Sequence, residues 1–443
     1  MNIQNIPSHW EIKKMPGVVK WGSGGTPKAT EKQYYENGTI PWLIIGDLND
    51  GIVTESQSKI TKLGLENSSA NMIPAGTLLV AMYGGIGKLG ITGIECCTNQ
   101  AIAYAKELYG VTTKYMYYYM AMMKSKLISM GKGGTQKNIS QTVLNSLDVI
   151  VPPIDEQEKI VAKIEELFSQ LDNGVETLKK TKQQLAVYRQ AVLKEAFDGL
   201  LTREWRDNHP ECTIEKILFA IAENKNAQKR SFDYKLEEKI QLSEMPKSWK
   251  WVTIGDISRG PEYGTSQKSL ESGKVPVVRM GNLQKGSIDW NDLAFSNDDT
   301  EIKKYSLKFG DVLFNRTNSP ELVGKTSIYR GECKAIFAGY LIRINQIELI
   351  NAEYLNYFMN SFIAKQYGNK VKTDGVNQSN INGKKLCSYP FPLCSIEEQE
   401  QVVYALEDRL SVCDSIEKTV DTALQQAEAM RQSILKKAFE GEL

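Results

Sequence analysis

QAVLKEAFDGLL at Gln190–Leu201 returns as QSILKKAFEGEL at Gln432–Leu443, with seven of the twelve positions identical at an offset of 242 residues. Other landmarks repeat in the same order. Pro7 and Trp10 return as Pro246 and Trp249, Gly25-Thr26 as Gly264-Thr265, and Gly46, Leu48 and Gly51 as Gly281, Leu283 and Gly286. Tyr115, Tyr118 and Met120 return as Tyr354, Tyr357 and Met359, and Glu156-Gln157-Glu158 as Glu398-Gln399-Glu400. Two copies of so long a unit exclude a solenoid, which needs shorter repeats and at least three of them. The chain is an internal duplication.

Each copy has two parts. The first mixes short apolar runs (Trp42–Ile45, Thr77–Met82, Val312–Phe314, Leu341–Ile344) with Gly, Asn and Asp turns such as Asn49-Asp50-Gly51, which predicts a compact α+β domain. The second is a long helix. Between Asp155 and Phe197 there is no Pro and one Gly, and apolar residues recur in steps of three and four: Val161, Ile164, Phe168, Leu171, Val175, Leu178, Leu185 and Val192, interrupted by Lys182 and Arg189. The second copy repeats the seam from Val403 to Ile434, interrupted by Glu417 and Arg431. Ser395 and Glu398 predict a capping box, and Gly199 and Gly441 predict stops. A narrow seam leaves a lone helix marginal, so the two are expected to pack on each other, antiparallel, as a coiled coil with a pseudo-two-fold relation.

The organisation predicted is a first domain over 1–153, a helix over 154–200, a connector over 201–245, a second domain over 246–394 and a second helix over 395–443. The chain's 443 residues carry a net charge of +1, unevenly spread. Residues 1–150 hold 14 Lys, no Arg and 10 acids, a net +4, and residues 246–395 are +6, leaving −9 for the rest. Two mildly basic blocks suggest two surfaces for a polyanion. Seven cysteines with no CxxC argue for reduced thiols, and His9 and His209 are too few for a zinc site or a histidine base. No run is long and apolar enough for a membrane span and no signal peptide precedes the first domain, so a cytoplasmic location is expected.

Catalytic chemistry is hard to find. Ser319–Thr326, SPELVGKT, has the tail of a phosphate-binding loop but Ser in place of the first Gly. The aromatic and Met cluster from Tyr115 to Met123 reads better as helix core than as a base-stacking surface. Polar loops offer more: GKGGTQKN at Gly131–Asn138 and KTDGVNQSN at Lys372–Asn380 hold the same place in both copies, and Phe314–Asn318 carries an Arg suited to guanine and Asn suited to adenine. Candidate DNA contacts are therefore Thr26, Lys28, Lys88, Lys132, Gln136, Lys137 and Asn138 in the first copy. In the second they are Thr265, Lys268, Arg279, Asn315, Arg316, Lys325, Lys372, Gln378 and Asn380.

The Pro-x-x-Trp openings, Pro-Pro-x-x-Glu-Gln at Pro152–Gln157, and Arg-Gln-x-x-Leu-Lys-x-Ala-Phe-x-Gly-x-Leu at Arg189–Leu201 and Arg431–Leu443 together resemble the specificity subunit of type I restriction-modification systems. The resemblance spans the whole chain. It implies two target recognition domains, each reading half of a bipartite site in double-stranded DNA, with the helices as spacer. It implies no catalytic residue, metal or cofactor on this chain. S-adenosylmethionine would reside on two methyltransferase subunits docking on the helices, here through Gln190, Lys194, Phe197, Gln432, Lys436 and Phe439, and a motor and nuclease subunit would join for cleavage. The second copy departs from the pattern, reading Pro390-Phe391-Pro392-Leu393-Cys394-Ser395 where the first has its Pro pair. Two other classes stay open on the residues alone: a two-lobed nucleotide-dependent enzyme using Gly324-Lys325-Thr326, and a coiled-coil scaffold.

Overall fold

A computed structural model describes residues 6–132, 138–227 and 240–443. The chain divides into two compact units, Met1–Lys180 with Val420–Leu443, and Thr181–Thr419. The first unit is made of two segments and the second of one, and each takes part of both long helices: the first the start of Ile154–Phe197 and the end of Ile396–Phe439, the second the rest.

In the first unit, a five-stranded sheet runs in the spatial order Val19–Ser23, Ile102–Leu108, Leu78–Ala81, Leu89–Thr92, Gly51–Val53, with only the last pair parallel. A three-stranded sheet has Ile40–Leu43 between Lys59–Ile60 and Cys97–Thr98. The central strand Leu78–Ala81 is apolar throughout because both its faces are covered. Leu78 and Val80 join the core shared with the helix Thr113–Met130, and Leu79 and Ala81 a second cluster with Leu43 and Ile102. Glu11–Lys14 pairs with Asp148–Val151 just ahead of the first long helix.

The second unit repeats this plan. Ser258–Tyr263, Leu341–Gln346, Val312–Asn315, Thr326–Ile328 and Gly286–Ile288 follow the same spatial order with the same parallel pair, extended by Leu283–Gln284. Lys250–Thr253 pairs with Pro390–Leu393. The departing proline pattern is thus absorbed by a strand, and the second long helix starts at Ile396, 242 residues after Ile154. One difference has a plain sequence cause. Thr113–Met130 is a single helix, whereas the second copy breaks into Ala352–Met359 and Phe362–Val371. Ala121 and Met122 carry the first helix onward. At the matching Asn360 and Ser361 the Asn amide donates to Thr326 O at 3.0 Å and the Ser hydroxyl accepts from Ala364 N, capping a new helix.

Both long helices, Ile154–Phe197 and Ile396–Phe439, have 44 residues. Gly199 and Gly441 follow their ends at φ +73 and +77, the left-handed region that favours glycine. In the second unit Arg189 meets Glu417 at 3.1 Å and Asp414 at 2.6 Å, while Glu195 meets Arg409 at 3.0 Å. As one number rises the other falls, so the helices run antiparallel. The expected interruptions of the seam are therefore partners: Arg189 and Glu417 answer each other. Arg431, at the position matching Arg189, lies 4.9 Å over the Phe168 ring and pairs with Asp172 within the first unit.

Glu417 also accepts from Lys285 at 2.6 Å, and that bond, with the charges of Arg189 and Lys182, holds its carboxyl below the ordinary value of 4.5. A depressed acid contributes stability that is complete above its unfolded value and is lost as pH falls through the folded one. Lowering pH from about 5 to 3 should weaken the second unit more in wild type than in Glu417→Gln, read from urea midpoints. Parallel pH profiles for the two chains would contradict the assignment.

Candidate nucleic-acid interface

The Trp of each Pro-x-x-Trp and the Glu of each Glu-Gln pair find one another. Trp10 Nε1 donates to Glu156 Oε2 at 2.8 Å, and Trp249 Nε1 to Glu398 Oε2 at 2.8 Å. Glu156 is also held by His9 at 2.9 Å, and the Trp10 and His9 bonds keep its carboxyl below the ordinary range. Glu398 is buried and accepts from Thr202 Oγ1 at 2.7 Å and Arg206 Nε at 2.8 Å. The expected capping box is consequently half formed: Ser395 Oγ accepts from Glu398 N at 3.2 Å, but the Glu carboxylate is turned to Trp249. The neighbouring glutamines are buried too. Gln157 Oε1 accepts from Thr112 N and Gln399 Oε1 from Asn351 N, the residues that cap Thr113–Met130 and Ala352–Met359. These pairings tie each α+β domain to the start of its own long helix. The recurrence of the two phrases together was the available signal.

The repeated phrase at Gln190–Leu201 and Gln432–Leu443 does the complementary job. Phe197 is fully buried, edge-on to Tyr354 and Phe358 at 5.3 and 5.2 Å, and Phe439 is fully buried against Tyr115 and Tyr119 at 5.2 and 5.1 Å. The end of each helix completes the core of the other copy's domain. This corrects the expectation that Phe197 and Phe439 form a docking surface, since neither side chain is accessible. Of the other four, Lys194 pairs with Asp198 at 2.5 Å, Lys436 is exposed, and Gln190 and Gln432 are half-buried. The Tyr115–Met123 stripe is core, with Tyr115, Met116, Tyr119, Met120 and Met123 buried in the helix.

The polar loops of the second domain come together. In the second domain Thr317–Asn318 pairs with Ser379–Asn380, which pairs with Thr373–Asp374, so the Phe314–Asn318 and Lys372–Asn380 stretches form one small sheet at the edge of the domain. Asn380 Nδ2 donates to Thr317 Oγ1 at 2.7 Å, Gln378 is exposed in the turn, and Val376 at its tip is 100% exposed. Lys372 is 15% exposed, its Nζ donating to Pro320 O at 3.1 Å. Arg316 lies 5.0 Å over the ring of Tyr263. The first domain has the same edge: Asn138 bridges Lys132 and Tyr83, and Ile139 N donates to Met82 O at 2.9 Å just as Ile381 N does to Arg316 O. Gln136 and Lys137 lie outside the described residues.

Other candidates are placed elsewhere. Asn315 is fully buried and Thr265 nearly so, its hydroxyl bonded to Glu301, so neither side chain reaches a groove, which corrects both expectations. Thr26 bonds Gln100, Lys28 pairs with Glu31 at 3.4 Å, and Arg279 donates to Asp292 O at 2.7 Å. Lys88 and Lys268 are exposed. Lys325 donates to Gln284 at 3.2 Å, and its loop leads into the strand Thr326–Ile328. A phosphate cradle requires a helix N-terminus there, and Thr326 is buried, so the nucleotide-enzyme reading fails on geometry. Burial raises the vicinal thiols Cys96 and Cys97 to about 12 and about 11, so neither is a ready nucleophile. Among the described residues no cluster of three metal-ligating side chains occurs and no helix is long and apolar enough to cross a membrane.

Two recognition folds on long antiparallel helices define the class, and comparison with known proteins agrees. The family model described as type I restriction modification DNA specificity domain matches twice, over residues 7–186 and 246–426. The chain belongs to this family of type I restriction-modification specificity subunits and carries two recognition domains. It is 26% identical to the type I restriction enzyme EcoKI specificity subunit of Escherichia coli K12, covering 100% of this chain and 91% of that protein. It is 24% identical to the MjaIX specificity subunit of Methanocaldococcus jannaschii, over 88% of this chain and 86% of that one. A solved chain described in terms of complex assembly and conformational transition of the type I R-M system shares the fold at TM-score 0.70 and 15% identity, covering 99% of both chains.

Proposed function

We propose that the chain is the non-catalytic DNA reader of a cytoplasmic restriction and adenine-methylation complex, each domain reading one half of a bipartite duplex target. The supporting observation is that in both domains the chain ahead of the long helix, at Asn138 or at Ser379–Asn380, pairs beside the strand end after Leu78–Ala81 or Val312–Asn315, with different side chains there. Equivalent geometry with unequal residues suits two unlike DNA words met in the same way. Lysines such as Lys28, Lys88, Lys132 and Lys268 supply affinity from phosphate, which is salt-dependent and indifferent to sequence. The long helices act as the spacer and as the docking surface for two methyltransferase subunits. Those partners hold the S-adenosylmethionine and extrude the adenine to be methylated. A motor and nuclease subunit joins for cleavage.

The test is to express the chain with its methyltransferase partner and map methylated adenines across a genome. A bipartite motif is expected. Deleting one heptad from the middle of each long helix shortens the rod by roughly 10 Å at about 1.5 Å per residue, or about 3 base pairs. The gap between half-sites should shrink with the half-sites unchanged; an unaltered gap contradicts the spacer role.

A further inference from the structure

The second domain holds one arginine whose surroundings the fold does not explain. Residues 246–394 contain five arginines. Four meet carboxylates: Arg259 with Glu348 at 3.2 Å, Arg279 with Asp292 at 3.4 Å, Arg330 with Glu353 at 2.6 Å, and Arg343 with Glu262 at 2.7 Å. Arg316 meets none among the described residues. It is half-buried, its Nε is buried without an acceptor, and the Nδ2 of the preceding Asn315 is in the same condition. Buried donors without acceptors are uncommon in folded proteins, and a functional role for the side chain is among the explanations they call for.

The rest of the arrangement fixes Arg316 in place. Its N donates to Tyr340 O at 3.0 Å and its O accepts from Ile381 N at 2.9 Å, so the backbone is clamped from both sides. Its guanidinium stacks on Tyr263, whose hydroxyl accepts from Gly383 N at 2.8 Å. Gly383 permits that approach, since a Cβ there would lie 2.9 Å from the Tyr263 hydroxyl and 2.7 Å from Pro261. A planar donor fork held on an aromatic shelf beside an exposed β-ribbon is suited to paired acceptors at a fixed angle, as on the major-groove edge of guanine. A phosphate contact needs no such constraint and is served by the exposed lysines. The first domain has Met82, buried and apolar, at the matching position.

We propose that Arg316, seated on Tyr263, reads one guanine through its O6 and N7 in the half-site of the second domain, and that the first half-site has no equivalent contact. This rests on the bipartite DNA-reading function. The methylation map of the wild-type complex tests that function first: a map without a bipartite motif would overturn it independently of Arg316. Given a motif, each guanine of the second half-site is replaced in turn by 7-deazaguanine, which lacks N7, in duplexes binding the purified wild-type complex. One substitution should weaken binding about 10- to 100-fold. In the map, Arg316→Ala should relax one G·C position of one half-site and leave the other half-site intact. Unchanged affinity for every 7-deazaguanine duplex, or relaxation in the first half-site, overturns the proposal. So does Arg316→Ala weakening all duplexes alike at an unchanged thermal midpoint, the outcome of a phosphate contact.

Discussion

Phe439→Ala should destabilise the first unit by about 3–5 kcal/mol, the range for emptying a buried aromatic site. The side chain is fully buried, and its ring meets Tyr115 and Tyr119 edge-on, pairs that add to the area they bury. The change lies at the far end of the sequence from the domain it damages. Tyr115 and Tyr119 also hold the last strand before the first long helix, through Ile150 O and Asp148 O at 2.8 Å each. Phe197→Ala should act likewise on the second unit through Tyr354 and Phe358. Denaturant midpoints should fall in both variants. A shift below about 0.5 kcal/mol, the range of ordinary surface changes, would mean that the phrase does not complete the core.

Glu398→Ala is the second large expectation, again about 3–5 kcal/mol, because it removes the buried carboxylate that pairs with the partly buried Arg206 guanidinium. Arg206 Nε, Thr202 Oγ1 and Trp249 Nε1 would lose their shared acceptor together. The matching Glu156→Ala should have a much smaller effect: that carboxylate is 32% exposed and water can replace it for His9 and Trp10. Comparing thermal midpoints of the two variants checks the asymmetry. Equal losses would show that burial of Glu398 contributes nothing beyond the shared tryptophan bond.

Much of the fold was legible because repetition and periodicity are local signals. The step of three and four residues from Val161 to Val192 announced a helix, and it runs unbroken through Gly174. Gly199 and Gly441 announced its stops. The seam's charged positions misled in one respect: Arg189 and Glu417 look like defects within a single helix and become partners only across two. The site was less legible. The residue types in Phe314–Asn318 and Lys372–Asn380 were recognisable, but the strand Val312–Asn315 is buried throughout, which put Asn315 inside, and Arg316, just past its end, is half-covered. Tyr263, more than fifty residues earlier in the chain, carried no local sign that it would lie under Arg316.

The sequence by itself determined that there are two copies, that each is an α+β domain followed by a long helix, and which phrases recur, since these follow from nearest-neighbour propensity and spacing. Tertiary structure decided what the repeated phrases touch. Phe197 belongs to the core of the second domain and Phe439 to that of the first. An antiparallel pair of helices brings the end of one beside the start of the other, and burial of an aromatic ring depends on what surrounds it in space, whatever the distance along the chain.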